Sequence, residues 1–505
     1  MAGPSTLPHA ELAGRGGKAG QAAGSGWSAG QRAWFVATVS LVLAGTAVYS
    51  RVLTVDSFYD LYTGRYILAH GLPHQNAATV ASHGAPWADQ QWLAHVSYYA
   101  AWLLGGYPAV AALSVALATA GYAVLAHTML RLAVPPSRAF AWTAVAFLVC
   151  LGNYQIQAQN FGYPLLALTL LLLLEDSRAA RLRARTWLVL PVLVLWANLH
   201  GSVLLGASLT AGYAAWQAAR ALARRDRGQL AGYLALGGAA LAAVLCTPYG
   251  TGVIGYYRHF VGNPVLSAHL AEWAPPAPRS PFTWIFIAAV LAVSAAIAVA
   301  WRRGARPDPL LTVAAGTALA LALMASRNED WFGLTGSLLA AEALARADRD
   351  RVPVLGRGFT LALAGLLGAT AAAALLAVGL TPARHYESQV PARAMDAAAR
   401  IAARNPSLRI LGDNFSGTTM LWLHPGLLGR VGFDARMEQY TRPELAAYFD
   451  FLFRSGPHWQ RVTHGYGIIV ASQLRPSFAR ALASLPGWHV AYRDRAGIVV
   501  VRDQR

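Results

Sequence analysis

Apolar segments of roughly membrane-spanning length recur along the chain, and they constrain the fold more than any other feature of the sequence. A helix that crosses a bilayer needs about 20 predominantly apolar residues. Such segments, several of them short, lie at 33–52, 106–131, 138–152, 162–175, 186–200, 201–222, 229–246, 281–301, 308–325, 331–346 and 358–380. Only 13% of the residues are charged, against roughly 25% in soluble domains. The sequence therefore predicts a polytopic α-helical membrane protein with about eleven transmembrane helices.

Arginines are concentrated in alternate connections between these segments. The basic connections hold Arg131 and Arg138; Arg178, Arg181, Arg183 and Arg185; Arg220, Arg224, Arg225 and Arg227; Arg302, Arg303 and Arg306; and Arg346, Arg349, Arg351 and Arg357. Short basic loops are typical of the cytoplasmic face. The net charge of +18 thus reflects membrane orientation and does not indicate nucleic-acid binding. The N-terminus is predicted inside and the residues after Leu380 outside, in a multi-pass protein of the cell membrane.

Composition divides the chain into three parts. Residues 1–32 are rich in Gly, Ala and Ser and are predicted to form a disordered cytoplasmic tail. Residues 33–380 form the transmembrane domain, whose first outer loop spans 53–105. Within that loop, the short apolar stretch 91–104 is predicted to lie in the membrane interface, and Gly105-Gly106 ends it.

Residues 381–505 have the composition of a soluble domain. Strands are predicted at 408–413, 430–435, 467–472, 489–494 and 497–503, with helices at 391–405, 442–454 and 475–485. Alternating strands and helices indicate an extracytoplasmic α/β domain that ends in a hairpin turning at 495–497. GDNFSG (412–417) and FDAR (433–436) stand at predicted strand ends, where open sheets often bind ligands, although a purely structural role is equally compatible with them.

Two carboxylates, Asp56 and Asp60, follow the first apolar segment directly. On a helix they would share one face, about one turn apart, where like charges repel by a few tenths of a kcal/mol. One interpretation is chemistry at the membrane surface. The other is a solvated helix whose acids neutralise Arg51 and Arg65.

The first outer loop resembles a known family. Asp56, Leu61, Gly64-Arg65-Tyr66-Ile67, Gly71, Pro73, Ser82, Trp87 and Trp92-Leu93 match its pattern, as do WANLHG (196–201), TPYG (247–250), EWAPP (272–276) and SRNEDW (326–331). On these residues the chain resembles bacterial members of the GT-C superfamily of membrane glycosyltransferases. The resemblance covers about Trp34 to Arg502. It departs from the family at Asn76, where relatives often carry an acid, and at Tyr59-Asp60, where they often carry Trp-His.

The resemblance implies an enzyme that transfers one sugar from a polyprenyl-phosphate donor to an acceptor hydroxyl of a cell-envelope glycan or glycolipid outside the membrane. Mannose and arabinofuranose are the expected sugars, and no further cofactor is expected. Such a transfer needs a carboxylate base for the acceptor hydroxyl, and a single displacement inverts the anomeric centre. Asp56 matches the family's first-loop acid and is the first choice for this base. Asp60 is the second.

A leaving lipid phosphate needs cationic or hydrogen-bonding partners. The candidates are Arg327, Arg258, His259, His200 and Arg65. Each has a structural alternative. Arg327 has acidic neighbours at 329 and 330, Arg258 sits where an arginine can snorkel to lipid headgroups, and Arg65 is close in sequence to both loop acids.

The candidates for binding the sugar or the acceptor are Asn198, Gln157, Asn160, Glu272 and Trp273. Amides suit sugar hydroxyls, but they equally suit a solvated turn or a hydrogen bond between helices. The loop histidines lack the close paired spacing of a zinc site. We therefore expect no metal. If the acid that relatives often carry at position 76 serves catalysis or binds a metal there, Asp60 takes its place in this chain.

Two other functions fit parts of the pattern. An outer-face oligosaccharide ligase or polymerase would use a polyprenyl-pyrophosphate donor and would depend on arginines more than on Asp56. A lipid or sugar transporter would carry ionisable residues at mid-membrane. The predicted spans contain few such residues, because the polar residues collect at the outer connections.

Overall fold

The computed structural model describes residues 27–179, 181–260, 263–348, 356–473 and 476–503. Residues 1–26 of the predicted tail lie outside this part of the chain. The first helix, α1, spans Ala29–Tyr49 and so begins four residues before the predicted span. Ser28 and Gln31 form a capping box there, in which each side chain bonds the other's backbone N–H. This local motif fixes the start of the helix.

Helices occupy every predicted apolar position. Those of the bundle are α1, α3 (Trp92–Arg131), α4 (Pro136–Cys150), α5 (Gly162–Ser177), α6 (Val189–Leu199), α7 (Val203–Ala223), α8 (Arg227–Ala243), α11 (Pro281–Arg302), α12 (Pro309–Met324), α13 (Glu329–Ala347) and α14 (Arg357–Leu380). Among the described residues, five helical segments are long and apolar enough to cross a membrane, at 29–49, 92–131, 158–177, 281–302 and 357–380. The prediction of a multi-pass helical protein is confirmed.

The remaining helices are short and lie outside the bundle or in the C-terminal domain. They are α2 (Val55–His70), α9 (Val253–Phe260), α10 (Pro264–His269), α15 (Ala383–Tyr386), α16 (Ala392–Arg404), α17 (Asn414–Leu423), α18 (Arg442–Phe453) and α19 (Pro476–Ala483). Short 3-10 turns connect several of them.

Helix α3 consists of two helical pieces joined at a kink. The backbone leaves helical geometry at Gly105 (φ −164°) and Gly106 (φ 62°). A positive φ is readily adopted only by glycine, so Gly106 permits the change of direction. The predicted break between 91–104 and the following span is therefore present.

The basic connections assemble at one end of the bundle. Asp348, at the end of α13, bonds Arg138 of α4 at 2.7 Å and also pairs with Arg303, which follows α11. Asp308, before α12, pairs with Arg346 of α13 at 3.2 Å. These ion pairs bring together connections that the charge pattern assigns to one face.

The C-terminal domain contains a mixed four-stranded sheet in the order β1-β2-β4-β3. The strands are β1 (Ile410–Gly412), β2 (Ile468–Ser472), β3 (Trp488–Arg493) and β4 (Gly497–Arg502). β1 and β2 are parallel, whereas β4 is antiparallel to both of its neighbours. The predicted terminal hairpin is formed by β3 and β4.

The predicted strand at 430–435 is wrong. Val431 makes only isolated bridges, to Ile410 and to Thr79 of the first outer loop, and the chain then turns so that Asp434 and Arg436 can pair through their side chains. Helix α17, which the pattern did not predict, begins where the Asp413 carboxylate accepts a hydrogen bond from the backbone N–H of Ser416 at 2.7 Å.

Buried polar contacts join the C-terminal domain to the first outer loop. Arg436 is fully buried; its Nε bonds Asp434 at 2.7 Å, its Nη2 donates to Asn76 Oδ1 at 2.9 Å, and its guanidinium lies 4.3 Å from the Trp87 ring centroid. The Tyr62 hydroxyl of α2 donates to the same Asp434 carboxylate. A buried charge needs such partners, so the loop and the domain pack as one unit.

Candidate functional site

A cavity of about 220 Å³ lies where the connections opposite the basic end meet the C-terminal domain. Its walls come from α2, the start of α3, the 155–158 connection, the residue after α6, the 270–273 and 327 turns, and the C-terminal domain. The lining residues are Val55, Asp56, Tyr59, Asp60, Gln91, Gln155, Gln157, Ala158, His200, Leu270, Glu272, Trp273, Arg327, Asn414, Ala435, Met437 and Glu438.

Helix α2 places both loop acids in this cavity. The Ser57 hydroxyl donates to the carbonyl of Ile156 at 2.7 Å, which fixes the first turn of α2 against the 155–158 connection. Asp56 lies in that first turn, near the positive end of the helix dipole, where a carboxylate is favoured. Gln157, in the 155–158 connection, lines the same cavity.

The charge state of Asp56 is set by its surroundings. Burial, followed by the nearby carboxylates of Glu272 and Asp60, raises the pKa of the Asp56 carboxyl to about 7, although the positive charge of Arg327 acts in the opposite direction. A carboxyl with a pKa near neutrality can take up and release a proton at physiological pH. Such perturbed groups in a cleft are typical of functional sites.

Asp60 has a different environment. Its Oδ1 bonds His95 Nδ1 at 2.8 Å, and His95 Nε2 bonds Asp89 Oδ1 at 3.1 Å, with all three side chains buried. Two carboxylates on the two ring nitrogens suit an imidazole that donates from both. Asp60 is thus held within a buried network at the base of the cavity, while Asp56 faces the cavity from the helix end.

Two neighbouring turns place a cation in the cavity. The Ser326 backbone N–H donates to the carbonyl of Ala274 at 2.9 Å, so the 326–328 turn lies against the 271–274 turn. The Arg327 guanidinium stacks over Trp273, 4.2 Å from the ring centroid, an arrangement that favours Arg over Lys. Trp273 Nε1 donates to Glu272 at 3.1 Å.

His200 faces the same cavity as a neutral side chain. Burial and then the positive charge of Arg327 lower the pKa of His200 to about 3. The Ser202 hydroxyl accepts from Trp196 Nε1 at 3.0 Å and lies 2.7 Å from His200 Nδ1, which also accepts from the Ser202 backbone N–H. Nδ1 is therefore the acceptor of the ring, and Nε2–H is its donor.

The C-terminal domain completes the wall with Asn414, Ala435, Met437 and Glu438. Burial raises the pKa of the Glu438 carboxyl to about 7. The sequence reasoning did not select Glu438 or Asn414. A signal was nevertheless available, because Asn414 lies within GDNFSG and Glu438 follows FDAR by two residues, and both motifs stand at predicted strand ends.

Five other predicted site residues lie away from the cavity, and two of them are amides. Asn198 accepts from Trp92 Nε1 at 2.8 Å and donates to the Cys246 carbonyl at 2.9 Å. Asn160 donates to Ser114 at 2.7 Å and is fully buried. Both amides therefore join segments of the bundle through hydrogen bonds. This is the structural role that the sequence analysis gave as the alternative to binding the sugar or the acceptor.

Arg65 donates to the carbonyls of Leu421 and Trp422 at 2.7 and 2.8 Å and joins α2 to α17. Arg258 is exposed and borders a shallow apolar groove beside α7 and α8. His259 lines a second cavity, described below. None of these three lines the cavity that contains Asp56.

Within the described ranges, no group of three or more His, Cys, Asp or Glu side chains is arranged to hold a metal ion. The carboxylates around the cavity instead bond His95 and Trp273 or lie near Arg327.

This architecture is shared with proteins of known structure, although not with any known sequence family. No protein-family model matches the sequence, and no curated protein matches it significantly. Solved structures do match. ArnT from Cupriavidus metallidurans bound to undecaprenyl phosphate aligns at 16% identity with a TM-score of 0.50, over 94% of this chain and 98% of that one. Its apo form aligns at 17% identity with a TM-score of 0.50, over 92% and 96%.

Arabinofuranosyltransferase AftD from Mycobacteria aligns at 15% identity with a TM-score of 0.54, over 95% of this chain but only 40% of AftD. Over nearly its whole length the chain thus has the fold of these solved structures, which is the fold expected from the GT-C resemblance. The resemblance seen in the sequence is confirmed at the level of the fold.

Proposed function

We propose that this protein is a GT-C-type membrane glycosyltransferase that moves a single sugar from a polyprenyl-phosphate donor to an acceptor hydroxyl of a cell-envelope glycan or glycolipid. One observation carries the proposal. A single cavity beside the first membrane helix holds a carboxyl of near-neutral pKa, Asp56, together with Arg327 and the neutral donor His200. These are the base and the phosphate partners that the reaction requires.

Asp56 is the proposed general base. As the acceptor oxygen attacks the anomeric carbon, its proton passes to the Asp56 carboxylate, and the bond from the anomeric carbon to the phosphate oxygen breaks. The electron pair leaves with the phosphate, so the products are the glycoside and the free polyprenyl phosphate. A single displacement inverts the anomeric centre. Asp60, bonded to His95, is proposed to support the oxocarbenium-like transition state through its charge and to keep α2 in place.

Arg327 and His200 are proposed to bind the leaving phosphate. Charge develops on the phosphate oxygen as the bond breaks, and a guanidinium and an N–H donor stabilise it there. Stacking on Trp273 holds the guanidinium plane in one orientation. The crystal structure of ArnT with undecaprenyl phosphate supports a lipid phosphate as the ligand of this fold, and Gln157, Glu272 and Trp273 remain proposed contacts for the sugar.

The composition of the cavity favours a monophosphate donor over a pyrophosphate donor. Four carboxyl side chains, from Asp56, Asp60, Glu272 and Glu438, line it beside one arginine. A pyrophosphate would bring more negative charge against those carboxylates. The cavity end of the bundle is proposed to face outwards, because the opposite end carries the basic connections.

The test is sugar transfer by the protein in nanodiscs with a panel of labelled polyprenyl-phosphate sugars, including mannose and arabinofuranose. Asp56→Asn is compared with Asp396→Asn, which alters a carboxylate that is 49% exposed on the C-terminal domain. We expect transfer from one donor, a loss on the order of 10²- to 10⁴-fold in Asp56→Asn, and wild-type rates in Asp396→Asn. Full activity of Asp56→Asn would contradict the assigned base, and turnover of pyrophosphate donors alone would favour the ligase.

A further inference from the structure

A second cavity of about 490 Å³ adjoins the first. It lies between the first outer loop, the 248–259 segment and the C-terminal domain, and its lining includes His74, Trp87, Tyr249, Tyr256, Glu438 and Gln439. Its size falls in the range of small-molecule sites, about 300 to 1,000 Å³. Three separate parts of the chain therefore enclose a volume large enough for a ligand.

The two cavities share a wall. Glu438 lines both of them. On the opposite side, the Tyr256 hydroxyl would lie 3.4 Å from a Cβ placed on Gly201, which directly follows His200. The two cavities are therefore neighbours, and Glu438 is the lining residue that they have in common.

The chemistry of the second cavity differs from that of the first. No arginine or lysine is among the described residues that line it, whereas aromatic rings and neutral polar groups are frequent. Trp87 Nε1 is buried and has no hydrogen-bond partner among the described residues. Leaving a buried donor unpaired costs roughly 1 to 3 kcal/mol. Aromatic rings and neutral polar groups, in a lining without Arg or Lys, suit a neutral ligand rich in hydroxyl groups.

We propose that the second cavity binds the neutral saccharide of the acceptor, with Glu438 as a positioning residue that accepts a hydrogen bond from the sugar and directs its reactive hydroxyl towards Asp56. This inference rests on the proposed function and adds to it the chemical class of the acceptor and its site. Trp87 and Tyr249 donate to the sugar or stack against it.

Gly255 offers a way to fill this cavity without disturbing its walls. It lines the cavity from α9, and a Cβ added there meets nothing within 4 Å. Gly238, in α8, also meets nothing within 4 Å but lies outside both cavities. Gly255→Leu is therefore the blocking variant, and Gly238→Leu is the matched control for the same change in a helix.

The first measurement is direct binding of neutral mannose- and arabinofuranose-containing oligosaccharides, by saturation-transfer NMR. The protein is held in nanodiscs free of sugar-based detergents. We expect saturable binding by the wild type and by Gly238→Leu, and binding at least about tenfold weaker in Gly255→Leu. Tyr249→Phe, which removes one hydroxyl from the lining, should weaken binding by about two- to tenfold. Absence of binding in the wild type, or unchanged binding in Gly255→Leu, overturns the proposal.

A second measurement separates this inference from the proposed function. Binding of polyprenyl phosphate, which reports on the first cavity, should be the same in Gly255→Leu and in the wild type, whereas the KM for the acceptor rises. If the wild type binds oligosaccharide but transfers no sugar from any donor, the proposed function fails and the saccharide site stands. If transfer occurs with an unchanged acceptor KM in Gly255→Leu, the site fails and the function stands.

Discussion

The pH dependence of sugar transfer should report the ionisation of Asp56. A general base acts as the carboxylate, and the pKa of Asp56 is raised to about 7. The deprotonated fraction therefore rises from about one-tenth at pH 6 to about nine-tenths at pH 8. We expect kcat/KM for the donor to rise about tenfold over that interval and to level off above it, because kcat/KM reports ionisations before the donor binds.

The causes of the raised pKa determine how variants should shift this profile. Glu272 contributes a negative charge that disfavours the Asp56 carboxylate, and Arg327 contributes a positive charge that favours it. Glu272→Gln should thus lower the pKa of Asp56 and move the midpoint to lower pH. Arg327→Gln should move the midpoint to higher pH, and its rate should be much lower at every pH. A general loss of stability would not move the midpoint in opposite directions in these two variants, whereas a change in the charge around Asp56 would.

Glu438 needs its own control, because burial also raises its pKa to about 7. If Asp56 is the base, the rate of Glu438→Gln at saturating acceptor should still rise with pH, with its midpoint near pH 7. Initial rates are measured from about pH 5.5 to about pH 9 at constant ionic strength. A flat wild-type profile between pH 6 and pH 8, or a midpoint that does not fall in Glu272→Gln, would refute the assignment of Asp56.

Two further predictions concern the neighbours of Asp56. Arg327→Gln should lower kcat on the order of 10²-fold, as removal of a preorganised donor does. It should also weaken binding of polyprenyl phosphate. An equal loss of kcat for a substrate without a phosphate leaving group would argue against this role. Asp60→Asn removes a partner from the buried His95, so it should destabilise the protein by about 3 kcal/mol. Thermal unfolding beside Asp396→Asn measures this, and an unchanged Tm in Asp60→Asn would contradict the buried network.

Much of the fold was predictable because its determinants are local. Membrane-length apolar segments and alternating arginine loops are read directly from the sequence, and helices occupy every predicted position. Helix ends depend on finer features, such as the Ser28–Gln31 capping box that starts α1 early. The segment 430–435 has a strand-like pattern, but its neighbours are the first outer loop and β1, and this tertiary context leaves only isolated bridges.

The site was predictable only in part, for a related reason. Asp56 and Arg327 belong to helix ends at one face of the bundle, and topology alone brings such positions together. The roles of Asn198 and Arg65 instead depend on partners distant in sequence, Trp92 at a separation of 106 residues and Trp422 at a separation of 357. Nothing near either residue in the sequence indicates which partner it has.

The departure from the family pattern at Asn76 now has a structural explanation. Asn76 is fully buried; its Oδ1 accepts from Arg436, and its amide donates to Thr79 Oγ1 at 2.8 Å and to the Ala81 carbonyl at 2.9 Å. A carboxylate could not make the two donated bonds. Position 76 therefore holds the outer loop to the C-terminal domain.

That junction bears on the position of the base. Tyr62 and Arg65 lie on α2, the helix that carries Asp56, and both bond the C-terminal domain, Tyr62 through Asp434 and Arg65 through backbone carbonyls of α17. The bundle holds the other side of α2 through Ser57. Because α2 is fixed between the two, the placement of Asp56 relative to Arg327 depends on the docked C-terminal domain. The same domain supplies Glu438 to both cavities, so the C-terminal domain forms part of the candidate site as well as holding α2 in place.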